Sequence, residues 1–139
     1  MRLFIVENSL AVRASLQSVL SDMSAITIVG HAMNESMAIE RISALQPDVV
    51  ILDLGLQSGS GLAVIENIRN HYAGIKFIVF THYTDDDCIE RCKRAGADYF
   101  FDKSCQLMQL REILWKWAHT DRLDILHRTG SKLQRLGSS

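Results

Sequence analysis

The chain has 139 residues, 47% of them hydrophobic, which is enough for one domain with a full core and a short appendage. Its 15 lysine and arginine residues are balanced by 16 acidic residues, so no broad charge attracts nucleic acid or an anionic membrane. The apolar segment near residue 1 is too short for a signal peptide, and no apolar run approaches membrane-spanning length. We therefore expect a cytoplasmic protein.

The first half of the chain contains two predicted strand–helix units and the start of a third. Strands are predicted at residues 2–6, 26–29 and 49–52, and apolar residues at helical spacing follow each of the first two. Asn34 can cap the second helix, and Pro47 discourages its continuation into the third strand. The third strand is four apolar residues in a row, which is typical of a strand covered on both faces in a central parallel sheet.

The second half repeats this alternation. The predicted elements are a helix at 62–68, a strand at 75–80, a helix from Thr84 to Gly96, a strand at 97–101 and a helix from Ser104 to Trp117. Thr84 and the three acids after it are close to a capping box, and Gly96 is a typical helix stop. Ser104 is the expected cap of the last helix.

The three cysteines have no paired spacing that would indicate a disulfide framework or a zinc site. Cys88 and Cys92 lie four residues apart, on one face of a predicted helix, and Cys105 stands alone. We expect Cys88 and Cys92 to be small residues that face the core rather than redox or metal groups.

Five strands alternating with five helices through short loops predict an α/β fold: a doubly wound parallel sheet, a three-layer sandwich with right-handed crossovers. This domain is expected to span residues 1–118. Residues 119–139 are predicted to be a partly helical C-terminal extension or linker, without a helix-turn-helix or basic helix that would bind nucleic acid. Its role stays open between a docked extension, a homodimer contact and the start of a linker.

Polar residues follow four of the predicted strands. In such a sheet the C-terminal ends of the strands share one edge, where ligands bind. This edge should bring together Glu7, Asn8, Asp53, Thr81 and Lys103. Each of them alone is more often an ordinary loop or surface residue, but their joint placement is hard to attribute to chance.

These residue types are those that phosphoryl transfer requires. An ionised carboxylate such as Asp53 can attack phosphorus, but the site must supply positive charge because the other reactant is an anion. Lys103 can pair with one phosphoryl oxygen and Thr81 can hydrogen-bond another. Magnesium prefers oxygen ligands, and Asp53, a side chain after the first strand and a loop carbonyl can provide three.

In order and spacing the chain resembles the receiver domain of bacterial response regulators, such as the chemotaxis regulators, over roughly residues 2 to 118. The segments that carry the resemblance are residues 4–8, residues 49–56 with Gly61, residues 80–81 and residues 95–103. The resemblance implies a flavodoxin-like (βα)5 sheet of strand order 2-1-3-4-5. It also implies that Asp53 accepts a phosphoryl group from a sensor histidine kinase or phosphotransfer protein, and that the chain is no enzyme beyond its own phosphorylation and dephosphorylation.

The same resemblance implies a switch and an output surface. Thr81 would turn toward the phosphoryl group, and Phe100 would be the aromatic switch residue. The face built from the fourth helix, fifth strand and fifth helix would then change its binding to a downstream protein. Phe100 lacks a hydroxyl, so its switching must depend on packing. His82, bulkier than the usual small residue, is either a shield of the acyl phosphate against water or a surface histidine with no task.

The resemblance also implies a magnesium site made of Asp53, Asn8 and the backbone carbonyl of Gly55, with Glu7 acting through a water molecule. The family usually has two acids after the first strand, whereas here the second, ordinarily a direct ligand, is Asn8. Its amide keeps a ligand oxygen but loses the charge. We therefore predict weak magnesium binding and slower or more metal-demanding phosphorylation. Gln57 and Ser104 stand where the family commonly has prolines, which leaves both loop conformations open, including a frequent cis peptide at the second.

Other functions compete with this interpretation. Asn8 and the absent proline motivate a second hypothesis, a receiver-like interaction module that no longer uses phosphate. The chain is alternatively the regulatory domain of a DNA-binding transcription factor whose effector domain lies outside these residues. A haloacid-dehalogenase-type phosphatase would need an acid where Gly55 stands. A flavodoxin electron carrier would need a hydroxyl- and glycine-rich loop after the first strand, and residues 7–10 do not form one.

Overall fold

Strands and helices alternate along residues 1–119, the part of the chain that this computed structural model describes. The elements are β1 (Arg2–Val6), α1 (Leu10–Leu20), β2 (Thr27–Ala32), α2 (Glu35–Leu45), β3 (Val49–Leu52), α3 (Gly61–Arg69), β4 (Lys76–Thr81), α4 (Asp86–Ala95), β5 (Tyr99–Asp102) and α5 (Leu107–His119). None of these helices has the length and apolar content needed to cross a membrane. The predicted extension at 119–139 lies outside the described residues, except for His119 at the end of α5.

The five strands form one parallel sheet in the order β2-β1-β3-β4-β5, which confirms the predicted α/β architecture. One side of the sheet is covered by α1 and α5, and the other by α2, α3 and α4. In β3, Val50 and Leu52 face the three-helix side, whereas Val49 and Ile51 face α1 and α5. Both faces of this strand are buried, which explains its unbroken apolar sequence.

Two of the strands differ from the prediction by more than one residue at a boundary. The second strand was predicted at 26–29, but β2 continues to Ala32, because Gly30 and His31 pair with β1 although they interrupt the apolar pattern. β2 is an edge strand, so an exposed residue such as His31 is tolerated there. The last strand was predicted from Ala97, but the Ala97 N–H instead donates to the Cys92 carbonyl at the end of α4.

The predicted caps of the last two helices are also corrected. The N-cap of α4 is Asp85 rather than Thr84, and its side chain accepts the Cys88 N–H at 2.8 Å. Ser104 does not cap α5, because its hydroxyl and N–H both donate to the Asp102 carboxylate, 2.5 and 2.9 Å away. These bonds hold the pKa of Asp102 below its usual value. The peptide bonds of residues 1–119, including the one before Ser104, are all trans.

The two cysteines of α4 differ in burial. Cys92 is fully buried, and burial raises the pKa of its thiol to about 12, so it packs as a small apolar residue. Cys88 is only half-buried, and burial raises the pKa of its thiol as well. The core-facing prediction therefore holds for Cys92 and only in part for Cys88.

We expect Gly61→Ala to destabilise the fold by about 1–3 kcal/mol, because a Cβ at Gly61 would overlap the backbone carbonyl of Asp53. Urea unfolding should show this as a lower midpoint at an unchanged slope. Gly74→Ala is the matched control, since a Cβ there meets no heavy atom within 4 Å. Equal stability of the two variants would contradict the close packing of α3 against Asp53.

Candidate functional site

Four loops meet at the C-terminal edge of the sheet and carry the predicted polar residues. The hydrogen-bonding ladder continues one residue past the strands, since the Asp53 N–H donates to the Val6 carbonyl and the Lys103 N–H donates to the Thr81 carbonyl. The chain directions are thereby fixed where the side chains leave the sheet. As a result, Asp53, Thr81, Lys103 and Glu7 come together as the sequence predicts.

The Lys103 ammonium lies between two carboxylates. Its Nζ is 2.7 Å from Asp53 Oδ2 and 2.8 Å from Glu7 Oε1, and the lysine side chain is 8% exposed. Burial alone lowers the pKa of Lys103, but the hydrogen bonds and negative charges of Asp53 and Glu7 outweigh it, so that pKa is raised above its usual value. The cation is therefore fixed beside Asp53 and fully charged at neutral pH.

Thr81 binds the other oxygen of Asp53. The threonine side chain is fully buried, and its hydroxyl donates to Asp53 Oδ1 at 2.6 Å. The Gly55 N–H approaches the same oxygen at 3.4 Å. Asp53 is 7% exposed. Both of its oxygens are thus oriented by neighbouring donors.

The two residues after β1 have different environments. Glu7 is buried, and while one carboxylate oxygen bonds Lys103, the other accepts the Ser9 N–H at 3.0 Å. The Glu7 carbonyl also accepts a hydrogen bond from the Arg13 guanidinium at 2.7 Å. Asn8, by contrast, is exposed. Glu7 is therefore locked into the ion-pair cluster, and Asn8 lies on the solvent side.

The oxygens at this edge fit the chemistry of magnesium. The Asp53 carboxylate, the Asn8 amide and the Gly55 carbonyl are all hard oxygen donors. Two carboxylates and one ammonium, from Glu7, Asp53 and Lys103, leave one net negative charge. Within residues 1–119 no group of three or more His, Cys, Asp or Glu side chains could hold a metal ion.

Phe100 and His82, which were also singled out in the sequence, differ from each other in burial. Phe100 is buried in the core on the side of α2, α3 and α4. His82 is exposed at the end of β4. The switching role of Phe100 and the shielding role of His82 stay predictions.

Residues 53–60, which join β3 to α3, are called the site loop below. Two contacts that this loop makes were not predicted from the sequence. The ring of Tyr83 lies over Gly55, with a ring carbon 3.0 Å from where a Gly55 Cβ would be, although Tyr83 is 56% exposed. Glu35, at the start of α2, bonds the far end of the loop through the Ser60 N–H. Nothing in the local sequence pattern distinguishes either residue from an ordinary exposed side chain.

The response regulator receiver domain model matches residues 3–115 of the chain. The response regulator protein VraR of Staphylococcus saprophyticus is 27% identical over 115 residues, which cover 83% of this chain and 55% of that protein. The uncharacterized transcriptional regulatory protein YvfU of Bacillus subtilis is 31% identical over 122 residues, 88% of this chain and 61% of that protein. The chain therefore spans less than two thirds of the length of these relatives.

A solved structure shows the same fold. The DNA-binding response regulator of the LuxR family from Staphylococcus aureus superposes with a TM-score of 0.77 at 24% identity, covering 85% of this chain and 98% of that one. The family match covers most of the chain, and the strand order is the one that the resemblance implies. The chain belongs to the response regulator receiver domain family of two-component systems.

Proposed function

We propose that this chain is a phosphoacceptor module that takes a phosphoryl group on Asp53 from a sensor histidine kinase or phosphotransfer protein. The observation that carries the proposal is the Lys103 ammonium, which lies 2.7 Å from Asp53 Oδ2 on a side chain that is 8% exposed. An anionic nucleophile can approach an anionic phosphoryl group only where fixed positive charge offsets their repulsion. Lys103 supplies that charge at the carboxylate itself.

Each neighbour of Asp53 has a task in the proposed transfer. A carboxylate oxygen of Asp53 forms the bond to phosphorus as the bond from phosphorus to the donor's leaving group breaks. Lys103 then pairs with a phosphoryl oxygen, and the Thr81 hydroxyl donates to another. Because Glu7 also binds the ammonium, at 2.8 Å, Lys103 stays in place when its partner Asp53 is modified. The chain catalyses only its own phosphorylation and dephosphorylation.

A magnesium ion would be held by Asp53, the Asn8 amide and the Gly55 carbonyl, with Glu7 acting through a water molecule. When bound, the cation supplies further positive charge to the phosphoryl oxygens. The exposed Asn8 brings no charge to this set, so the affinity should be low. The site would then depend more heavily on Lys103 than a site with three acids.

The proposed output runs through β4 and β5 to the surface of α4, β5 and α5. Thr81 ends β4, and Val79 of that strand pairs with Phe100 of β5. A change in the Thr81 hydrogen bond would therefore act two residues along β4 from the pair that contains the buried Phe100, which packs on the side of α2, α3 and α4. We propose that a downstream protein binds this surface in the cytoplasm, and that a homodimer is one assembly it supports.

A second candidate is a receiver-like interaction module that does not use phosphate. It is supported by Asn8 and by Lys103, which already pairs with both carboxylates without a phosphoryl group. It requires partner binding that is unaffected by a phosphodonor and by Asp53→Asn. A large gain in partner affinity on phosphorylation would exclude it.

A third candidate is the regulatory part of a DNA-binding transcription factor. It is supported by the greater length of VraR and YvfU, the second of which is named as a transcriptional regulator. The length of the native open reading frame decides it. A reading frame that ends at Ser139 would exclude an appended effector domain.

We expect Asn8→Asp to lower the magnesium concentration needed for half-maximal phosphorylation by about tenfold, which corresponds to about 1.4 kcal/mol. The physical reason is the added ligand charge. The measurement is phosphoryl incorporation from acetyl phosphate across a magnesium titration. Asn67→Asp, which adds the same charge on the exposed face of α3, is the matched control and should behave as the wild type.

The same titration tests the proposed function, because the wild-type chain should take up one phosphoryl group at high magnesium. Absence of incorporation at saturating magnesium in both the wild type and Asn8→Asp would contradict it. Identical magnesium dependence of the two would contradict the assignment of Asn8 as a ligand.

A further inference from the structure

The site loop is bonded to the turn between β2 and α2 at three places. The Gln57 N–H donates to the Met33 carbonyl at 3.0 Å, and the Glu35 N–H donates to the Ser58 carbonyl at 3.0 Å. The Ser60 N–H donates to Glu35 Oε1, also at 3.0 Å. A proline at position 57 would lack the N–H that makes the first bond. The conformation of the site loop thus depends on a neighbouring turn.

Glu35 supplies the only side-chain atom among these three hydrogen bonds, and its backbone is part of α2. It is the first residue of α2, whose N-cap Asn34 accepts the Met37 N–H at 2.8 Å. Gly59 has a φ of 77°, and a Cβ there would overlap the Glu35 side chain. The loop is therefore pressed directly onto Glu35, with no room between them for another side chain.

The contact is close to the proposed chemistry. Ser60, the partner of Glu35, forms an isolated antiparallel bridge with Gly55. The Gly55 N–H approaches Asp53 Oδ1, and its carbonyl is the proposed backbone ligand. Next to Ser60, the Gly61 N–H donates to the Leu54 carbonyl at 3.0 Å. A displacement of Ser60 would therefore move the backbone on both sides of Leu54.

We infer that Glu35 is a positioning residue, whose side-chain acceptor oxygen holds the site loop in the conformation that directs the Gly55 carbonyl to a divalent cation. The inference rests on the proposed function for the use of that cation. Glu35 itself touches neither Asp53 nor the phosphoryl group; it acts through Ser60 and Gly55. Its loss should loosen the loop and weaken the cation site without unfolding the domain.

The test compares Glu35→Ala with Glu35→Gln. The glutamine keeps an acceptor oxygen at the same reach, whereas alanine removes it. We expect Glu35→Ala to speed hydrogen exchange of the Ser60 amide by about tenfold without metal, and to weaken magnesium binding several-fold by calorimetry. Glu35→Gln should stay close to the wild type in both. Glu40→Ala, an exposed glutamate on the same helix, is the matched control.

Unchanged exchange and magnesium affinity in Glu35→Ala, or equal damage in Glu35→Gln, would overturn the inference. A purely structural role would lower the urea midpoint and leave the magnesium affinity of the folded protein unchanged. Because calorimetry needs no phosphodonor, this test of Glu35 does not depend on whether the proposed phosphorylation occurs. A wild type that binds magnesium but takes up no phosphoryl group would refute the function, and the variants would still decide the role of Glu35.

Discussion

Asp53→Asn is expected to abolish phosphoryl incorporation while leaving the fold intact. The amide is nearly the same size as the carboxylate, and its oxygen can still accept a hydrogen bond from Lys103 or Thr81. Because the amide carries no negative charge, it does not attack phosphorus, and residue 53 is not phosphorylated even slowly. Mass spectrometry of the intact protein after incubation with acetyl phosphate and magnesium measures the effect, and we expect no modified species.

The matched control is Asp102→Asn, which removes a carboxylate from the same edge of the sheet. Asp102 bonds Ser104 and not the Lys103 cluster, so its variant should keep phosphoryl incorporation. Wild-type incorporation in Asp53→Asn would mean that the nucleophile is another residue.

Lys103→Met is expected to destabilise the fold by about 3–5 kcal/mol and to slow phosphorylation by about 10²–10³-fold. The loss of stability follows because Glu7 and Asp53, both nearly buried, would be left without their shared cation. The loss of rate follows because the charge that offsets repulsion between Asp53 and a phosphoryl group is gone. Urea unfolding measures the first effect, and phosphoryl incorporation at saturating magnesium measures the second.

A second substitution separates these causes. Glu7→Gln in the Lys103→Met background removes one of the two unpaired carboxylates, so it should recover part of the stability and none of the phosphorylation rate. If Lys103→Met alone is as stable as the wild type, the ammonium does not hold the two carboxylates in the folded chain.

The contribution of Lys103 to the free energy of unfolding should depend on pH in the alkaline range. The pKa of Lys103 is raised in the folded chain above its unfolded value of about 10.4. The contribution is therefore fully present below about pH 10.4 and is lost as the pH rises through the higher folded pKa. The difference in unfolding free energy between wild type and Lys103→Met should be constant near neutral pH and shrink above pH 10.4. A difference that stays constant after the pH has risen past the range in which lysine deprotonates would contradict the assignment of the effect to the Lys103 charge.

The fold and the meeting of the polar residues could be predicted because both follow from the spacing of apolar residues along the chain and from the parallel direction of the strands. The four buried residues of β3 and the alternation with helices indicate a parallel sheet, and parallel strands bring their following residues to one edge. Asp53, Thr81, Lys103 and Glu7 are thus placed together by topology alone. Their chemical roles and the magnesium ligands stay predictions.

The details that could not be predicted depend on competition among local hydrogen bonds or on distant contacts. Ser104 is an acceptable helix cap by residue type, but Asp102 lies close enough to bind its hydroxyl first. Glu35 is a typical acid for the first turn of a helix. Its contact with Ser60, 25 residues away, cannot be recognised from the residues around either position. Tyr83 lies over Gly55 because two loops from different strands meet, which residue spacing does not reveal.

The central claim is that Asp53 carries the phosphoryl group, and borohydride trapping tests it most directly. Borohydride reduces an aspartyl phosphate to homoserine, and peptide mass mapping then locates the altered residue. After incubation with acetyl phosphate and magnesium, we expect homoserine at position 53 in the wild type and none without the phosphodonor. An unaltered residue 53 at saturating magnesium, or homoserine at another aspartate, would contradict the claim.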